Sequence, residues 1–192
     1  MLKRLVTFII LAASAMVSPR LLAADDAAAA ALCAESTAYL ATTVNKDRPT
    51  PPDMVIAKVK EACALLETEG PAAFPKFYGK GSPFIYEGTY VFVQGSSDGN
   101  QYVHPISYKM VGVKNMGVKD GKGKRVFAAM CDLVLEKGEG WVEYFWPKPG
   151  TQDFVRKISF VKKCKMSDGV EVVVGSGLYN FSDADVAKLE LH

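Results

Sequence analysis

The chain has 192 residues, 49% of them apolar and 23% charged, with a formal net charge of +2. This profile excludes a disordered tail, a collagen-like repeat and a strongly basic nucleic-acid binder. Residues 1–23 carry Lys3, Arg4 and Arg20 and no acid, so the remainder holds 20 basic residues (23 less three) against 21 acidic ones, a net charge of −1.

Lys3 and Arg4 precede an uncharged stretch, Leu5 to Ser18, and small residues follow at Ala23 and Ala24. This is the layout of a secretory signal peptide over residues 1–23. The stretch falls short of the roughly 20 residues that span a bilayer, so cleavage and release are expected, and an anchor through residues 5–18 is the alternative. The mature protein is expected in the periplasm or secreted. Four cysteines, Cys33, Cys63, Cys131 and Cys164, are widely spaced. They suit two disulfides in an oxidising compartment rather than a clustered metal site, the alternative being four buried thiols.

Residues 24–48 are alanine-rich and predict an N-terminal helix, which Asp47-Arg48-Pro49 breaks. Thr50-Pro51-Pro52-Asp53 then has the pattern of an N-cap, a proline at the first helical position and an acid at the third. Val55, Val59, Ala62 and Leu66 place an apolar stripe on one face of a second helix that stops at Gly70. The two helices are expected to form an antiparallel hairpin. With its turn near residue 48, Cys33 and Cys63 fall at the same height and can pair, leaving Cys131 for Cys164.

A short helical piece over residues 72–78 leads into strands. Thr89 to Val93 is β-branched and aromatic, Ser96-Ser97-Asp98-Gly99 is a turn, and Gln101 to His104 returns as a hairpin. Residues 112–124 are rich in glycine and lysine and predict a loop. Val126, Phe127, Met130 and Val134 mark an amphipathic helix ending near Gly138, and residues 141–146, 154–163 and 170–179 are three further strands. The sum is an α+β fold: a PAS-like five-stranded antiparallel sheet preceded by a long N-terminal helical hairpin, with one helix inserted between the second and third strands. A single domain over residues 49–182 and a tail over 183–192 follow.

Histidine occurs only at positions 104 and 192. No H-E-x-x-H, P-loop or G-x-G-x-x-G pattern is present, so the chain reads as a non-enzyme without cofactor or metal, an envelope accessory protein or enzyme being the alternative. The lysine-rich run Lys114 to Arg125 lacks interleaved aromatics and is diluted by Asp120. It reads as a solvated loop over a pocket mouth and not as a nucleic-acid contact.

An ordered set of motifs carries a resemblance. Gly88 to Val93, His104-Pro105, Lys119-Asp120, Gly140 to Pro147, Lys157 to Val161 and Val174 to Tyr179 stand in the order found in the single Cache domain family. The chain resembles that family over roughly residues 50 to 180, in the form of a stand-alone exported member. The resemblance implies an extracytoplasmic sensor that binds a small organic acid against one face of its sheet. A membrane receptor or a transporter component is then the expected partner.

Alternation puts Val142, Tyr144 and Trp146 on one face of the third strand and Trp141, Glu143 and Phe145 on the other. Tyr144 and Trp146 would wall a small pocket and donate hydrogen bonds, although the same rings also suit a packed core. Lys157, with Ser159 and Val161 as its alternates, is the candidate counter-charge for a carboxylate, against a surface lysine as the plain alternative. His104 is placed to donate to a ligand oxygen or to cap the hairpin, and Tyr90 and Phe92 share one face of the first strand. If Glu87 or Glu143 pointed inward, the rings would instead box an amine.

Overall fold

The computed structural model describes residues 26–44 and 49–189. The leader over residues 1–23 and the turn near residue 48 lie outside them. Helix α1 runs Asp26–Thr43 and α2 runs Pro52–Glu69, followed by a 3-10 segment, Gly70–Phe77. Strands β1 (Ile85–Tyr86), β2 (Thr89–Gly95) and β3 (Gln101–Val103) come next, then α3 (Val126–Lys137). Strands β4 (Glu139–Pro147), β5 (Phe154–Lys165) and β6 (Glu171–Leu178) complete the sheet, and a single turn, α4 (Asp183–Val186), follows.

The sheet is antiparallel in the order β1-β2-β6-β5-β4, with β3 also paired to β2. It has one strand more than the sequence pattern gave. Ile85–Tyr86 pairs with Thr89–Tyr90 across a two-residue turn, too short a run to show period-two alternation.

Helix α2 lies across β5 and β6 with Val55, Val59, Ala62 and Leu66 fully buried, as their spacing predicts. Each such branched side chain contributes about 1.5–3 kcal/mol through lost contact with water. The helix ends at Gly70, whose φ of 58° a residue with a Cβ adopts only at a cost. Its start differs by one position from the expected cap. Pro51 occupies the N-cap, and the Thr50 hydroxyl donates to the Glu87 carbonyl instead.

The other face of the sheet is covered by α3, which packs on β4 and β5 through Val126, Phe127, Met130 and Val134. Helices α1 and α2 do precede the sheet, but they do not pair along their length. The main contacts of α1 are with β1 and with the short turn Tyr108–Met110, so Cys33 is carried away from Cys63.

That displacement corrects the expected disulfides. Cys63 on α2 pairs with Cys164 on β5, their Cα atoms 5.7 Å apart, because α2 lies directly over that strand. Cys33 and Cys131 are buried free thiols. Cys33 donates to the carbonyl of His104, and Cys131 to that of Gly95.

Candidate functional site

Register decides what faces α3. Pairing of β4 with β5 sets Tyr144 opposite Lys157 and Val142 opposite Ser159, and pairing of β5 with β6 sets Ser159 opposite Gly177. Tyr90 and Phe92 of β2 project to the same side. The alternation read from the sequence therefore holds on all of these strands.

Lys157 is 1% exposed. Its Nζ lies 4.5 Å from the centre of the Tyr90 ring, 4.7 Å from that of Tyr179 and 6.0 Å from that of Tyr144. Among the described residues no carboxylate forms an ion pair with it. The nearest charged residues in sequence look away: Arg156 pairs with Glu143 and with Asp183 on the opposite face. Burial pulls the Lys157 pKa down to about 7.

The rest of the cluster is polar and neutral. The Tyr144 hydroxyl and Ser159 Oγ are hydrogen-bonded at 2.8 Å, and Trp146 and Tyr179 both engage the Tyr90 phenol. Burial pushes the phenols of Tyr90, Tyr144 and Tyr179 upward, so all three keep their protons. The His104 ring sits 5.3 Å from that of Tyr90 and its Nδ1 is buried with no partner. Burial, and secondarily the charge of Lys157, lowers His104 to about 3, so the imidazole is neutral.

A cavity of about 470 Å³ opens beside this cluster, lined by His104 and Trp146 with Thr37, Ile106, Met110 and Gln152 among its walls. His104 and Trp146 belong both to the cavity wall and to the ring cluster, whereas Lys157 is not itself part of the lining. The loop joining β4 to β5 forms one rim and is tied to the end of β6. There the Tyr179 hydroxyl donates to the Pro147 carbonyl and Lys148 Nζ to Asn180 Oδ1.

The structure thus gathers Tyr90, His104, Tyr144, Trp146, Lys157 and Ser159. Phe92 is apart: it packs over Gly175 and against the Val161 side of the cluster, in the apolar half under α3. The lysine-rich loop is also not at the cavity. Asp120 ties it to the outside of β4 by accepting from the Phe145 N–H, and Lys122 lies 4.0 Å over the Phe145 ring. Glu143 is on the far face with Arg156, which removes it from any box for an amine.

Sequence reasoning missed Tyr179 and Gly177. Both share the inward alternation of β6, and the glycine is required. A Cβ there would come within 2.7 Å of Lys157 Cε and 2.8 Å of the Ile158 carbonyl oxygen. The run Gly95-Ser96-Ser97-Asp98-Gly99 has the G-x-S-x-G spacing of a hydrolase. It forms the β2–β3 turn with Ser97 exposed, where a nucleophile elbow joins a strand to a helix.

A PAS-like sheet whose inner face presents buried polar groups beside a cavity is the build of a small-molecule sensor domain. The chain belongs to the single Cache domain 2 family, whose model matches residues 75–189. These are extracytoplasmic ligand-sensing domains of signalling proteins. The chain is 32% identical over 77 residues to the methyl-accepting chemotaxis protein McpP of Pseudomonas putida, a match covering 40% of this chain and 14% of that receptor.

Among solved structures it resembles one described as the structural basis for carboxylic acid recognition by a Cache chemosensory domain. That likeness has 25% identity and a TM-score of 0.51, over 79% of this chain and 95% of the other. A methyl-accepting chemotaxis protein from Vibrio parahaemolyticus shares the fold at 20% identity, with a TM-score of 0.51, over 65% of this chain and 82% of that one. Among the described residues no helix is long and apolar enough to cross a membrane.

Proposed function

We propose that the protein is an extracytoplasmic sensor that binds a small carboxylate at Lys157 and passes its occupancy to a membrane receptor or transport component. The observation that carries this reading is a lysine 1% exposed, caged by three tyrosine rings, with no ion-pair partner among the described residues. A buried charge without a partner is costly, and a ligand carboxylate supplies the partner. Tyr90, Tyr144, Trp146 and Ser159 wall the site, and His104, whose buried Nδ1 has no partner, stands between the Tyr90 ring and the cavity lining. The carboxylic-acid theme of one structural relative supports the same ligand class. A leader over residues 1–23 would deliver the domain across the membrane.

Binding acts by population shift, since a ligand that prefers one arrangement of the β4–β5 rim draws the protein toward it. The test is thermal unfolding of the purified protein against small carboxylates, amino acids and amines. A carboxylate at 100 times its dissociation constant adds about 2.7 kcal/mol of stability. Stabilisation by amines alone, or by nothing in the set, contradicts the reading.

A further inference from the structure

We infer that the site takes up a proton together with its anion: the empty protein holds Lys157 chiefly as a neutral amine, and an entering carboxylate is paired by protonating it. This rests on the carboxylate reading above and specifies how that site is regulated.

The argument is one of charge balance inside a closed cage. Every element packed around Lys157 presents a neutral group to it: Tyr90 from β2, Tyr144 from β4, Ser159 from β5, Tyr179 beyond β6 and His104 beyond β3. From α3 the cluster receives Phe127, against Trp146, and Asp132 of that helix acts on Cys131. From α1 it receives Leu40. Lys148, the nearest cation on the cavity wall, is bonded to Asn180.

The tyrosine faces attract an ammonium, but cation–π contacts of this kind return about 2 kcal/mol when desolvated, well below the several kcal/mol that burial of the charge costs. Burial is what pulls the lysine down to about 7. The phenols are held above their ordinary range and the imidazole at about 3, so Lys157 is the one group in the cage that titrates near neutrality.

The step balances simply. A solvent or buffer acid gives up one proton, an N–H bond forms at Nζ, and the carboxylate brings the negative charge that the new ammonium requires. The overall event equals binding of the undissociated acid. A sensor built this way answers to carboxylate and acidity jointly.

Isothermal calorimetry of the full chain tests this, with acetate, propionate and succinate as probes, in Pipes and in Tris at pH 7.5. The expected result is a heat that differs between the buffers in proportion to their ionisation enthalpies, corresponding to uptake of roughly 0.8 proton per ligand. Affinity should fall about tenfold per pH unit above pH 7 and level off below about pH 6. Binding with equal heats in the two buffers overturns the proton-linked step while leaving the carboxylate reading in place. No binding by any of the three acids overturns both.

Discussion

On the α2 side of the sheet, Val91, Phe160, Val172 and Val174 meet Val59, Ala62 and Leu66 in an apolar layer, with Cys63 joined to Cys164 through it. Its polar exceptions are satisfied: the Tyr86 hydroxyl bonds Ser176 Oγ, and that Oγ donates to the Tyr90 carbonyl. On the α3 side the same strands, one residue out of phase, turn Lys157, Ser159, Tyr90 and Tyr144 inward, and His104 Nδ1 is left without a partner. One layer gains stability from nearly every residue it buries. The other carries a buried lysine without an ion-pair partner among the described residues, a local loss that the proposed ligand would offset.

The comparison can be broken most strongly at the disulfide. It closes a sequence separation of 101 residues, so its loss in a Cys63→Ala, Cys164→Ala double variant should cost about 4 kcal/mol in urea unfolding, with ligand affinity of the folded protein unchanged. A loss of binding equal to the loss of stability would mean that the two faces are not independent.

Next in size is the pH dependence of stability. Lys157 titrates near 10.5 when unfolded and near 7 when folded, so between these values the unfolded chain binds more protons and stability rises with pH. From pH 7 to 9.5 the Lys157 contribution is about 3 kcal/mol, read as the difference between wild type and Lys157→Met, in which the opposing ionisation of the unfolded Cys33 and Cys131 thiols cancels. The window stops short of pH 10, where the unfolded tyrosines begin to ionise and the trend reverses.

Gly177→Ala sharpens the same contrast. Its Cβ would press on Lys157 Cε and on the Ile158 backbone, a cost of about 1–3 kcal/mol on thermal unfolding, with weakened binding because the lysine stem is displaced. The smallest effect belongs to Tyr144→Phe. It removes the hydroxyl that bonds Ser159 and costs about 1 kcal/mol, measured the same way.

Much of this architecture is legible in the sequence because it follows from local periodicity. The stripe Val55, Val59, Ala62, Leu66 and the stop at Gly70 place α2, and alternation along β4 and β5 assigns Tyr144, Trp146, Lys157 and Ser159 to one face. What was not legible is what depends on how distant segments meet. Cys164 lies under Cys63 because α2 crosses β5, a relation that no spacing within either element contains. Phe92 shares the face of Tyr90, yet lies two residues further along the strand and so beyond the cage. Tyr179 joins it from a strand end that alternation had merely passed through, with Gly175 and Gly177 as the available sign that large side chains press on β6.

The central claim is that the buried, unpaired Lys157 is the ligand's counter-charge. Calorimetric titration of wild type and Lys157→Met with the same carboxylates tests it most directly, with the melting temperature of each protein recorded beside it. The account predicts a variant that is more stable at pH 7 and binds at least about 100-fold more weakly. A well-folded Lys157→Met protein that retains wild-type affinity would contradict it.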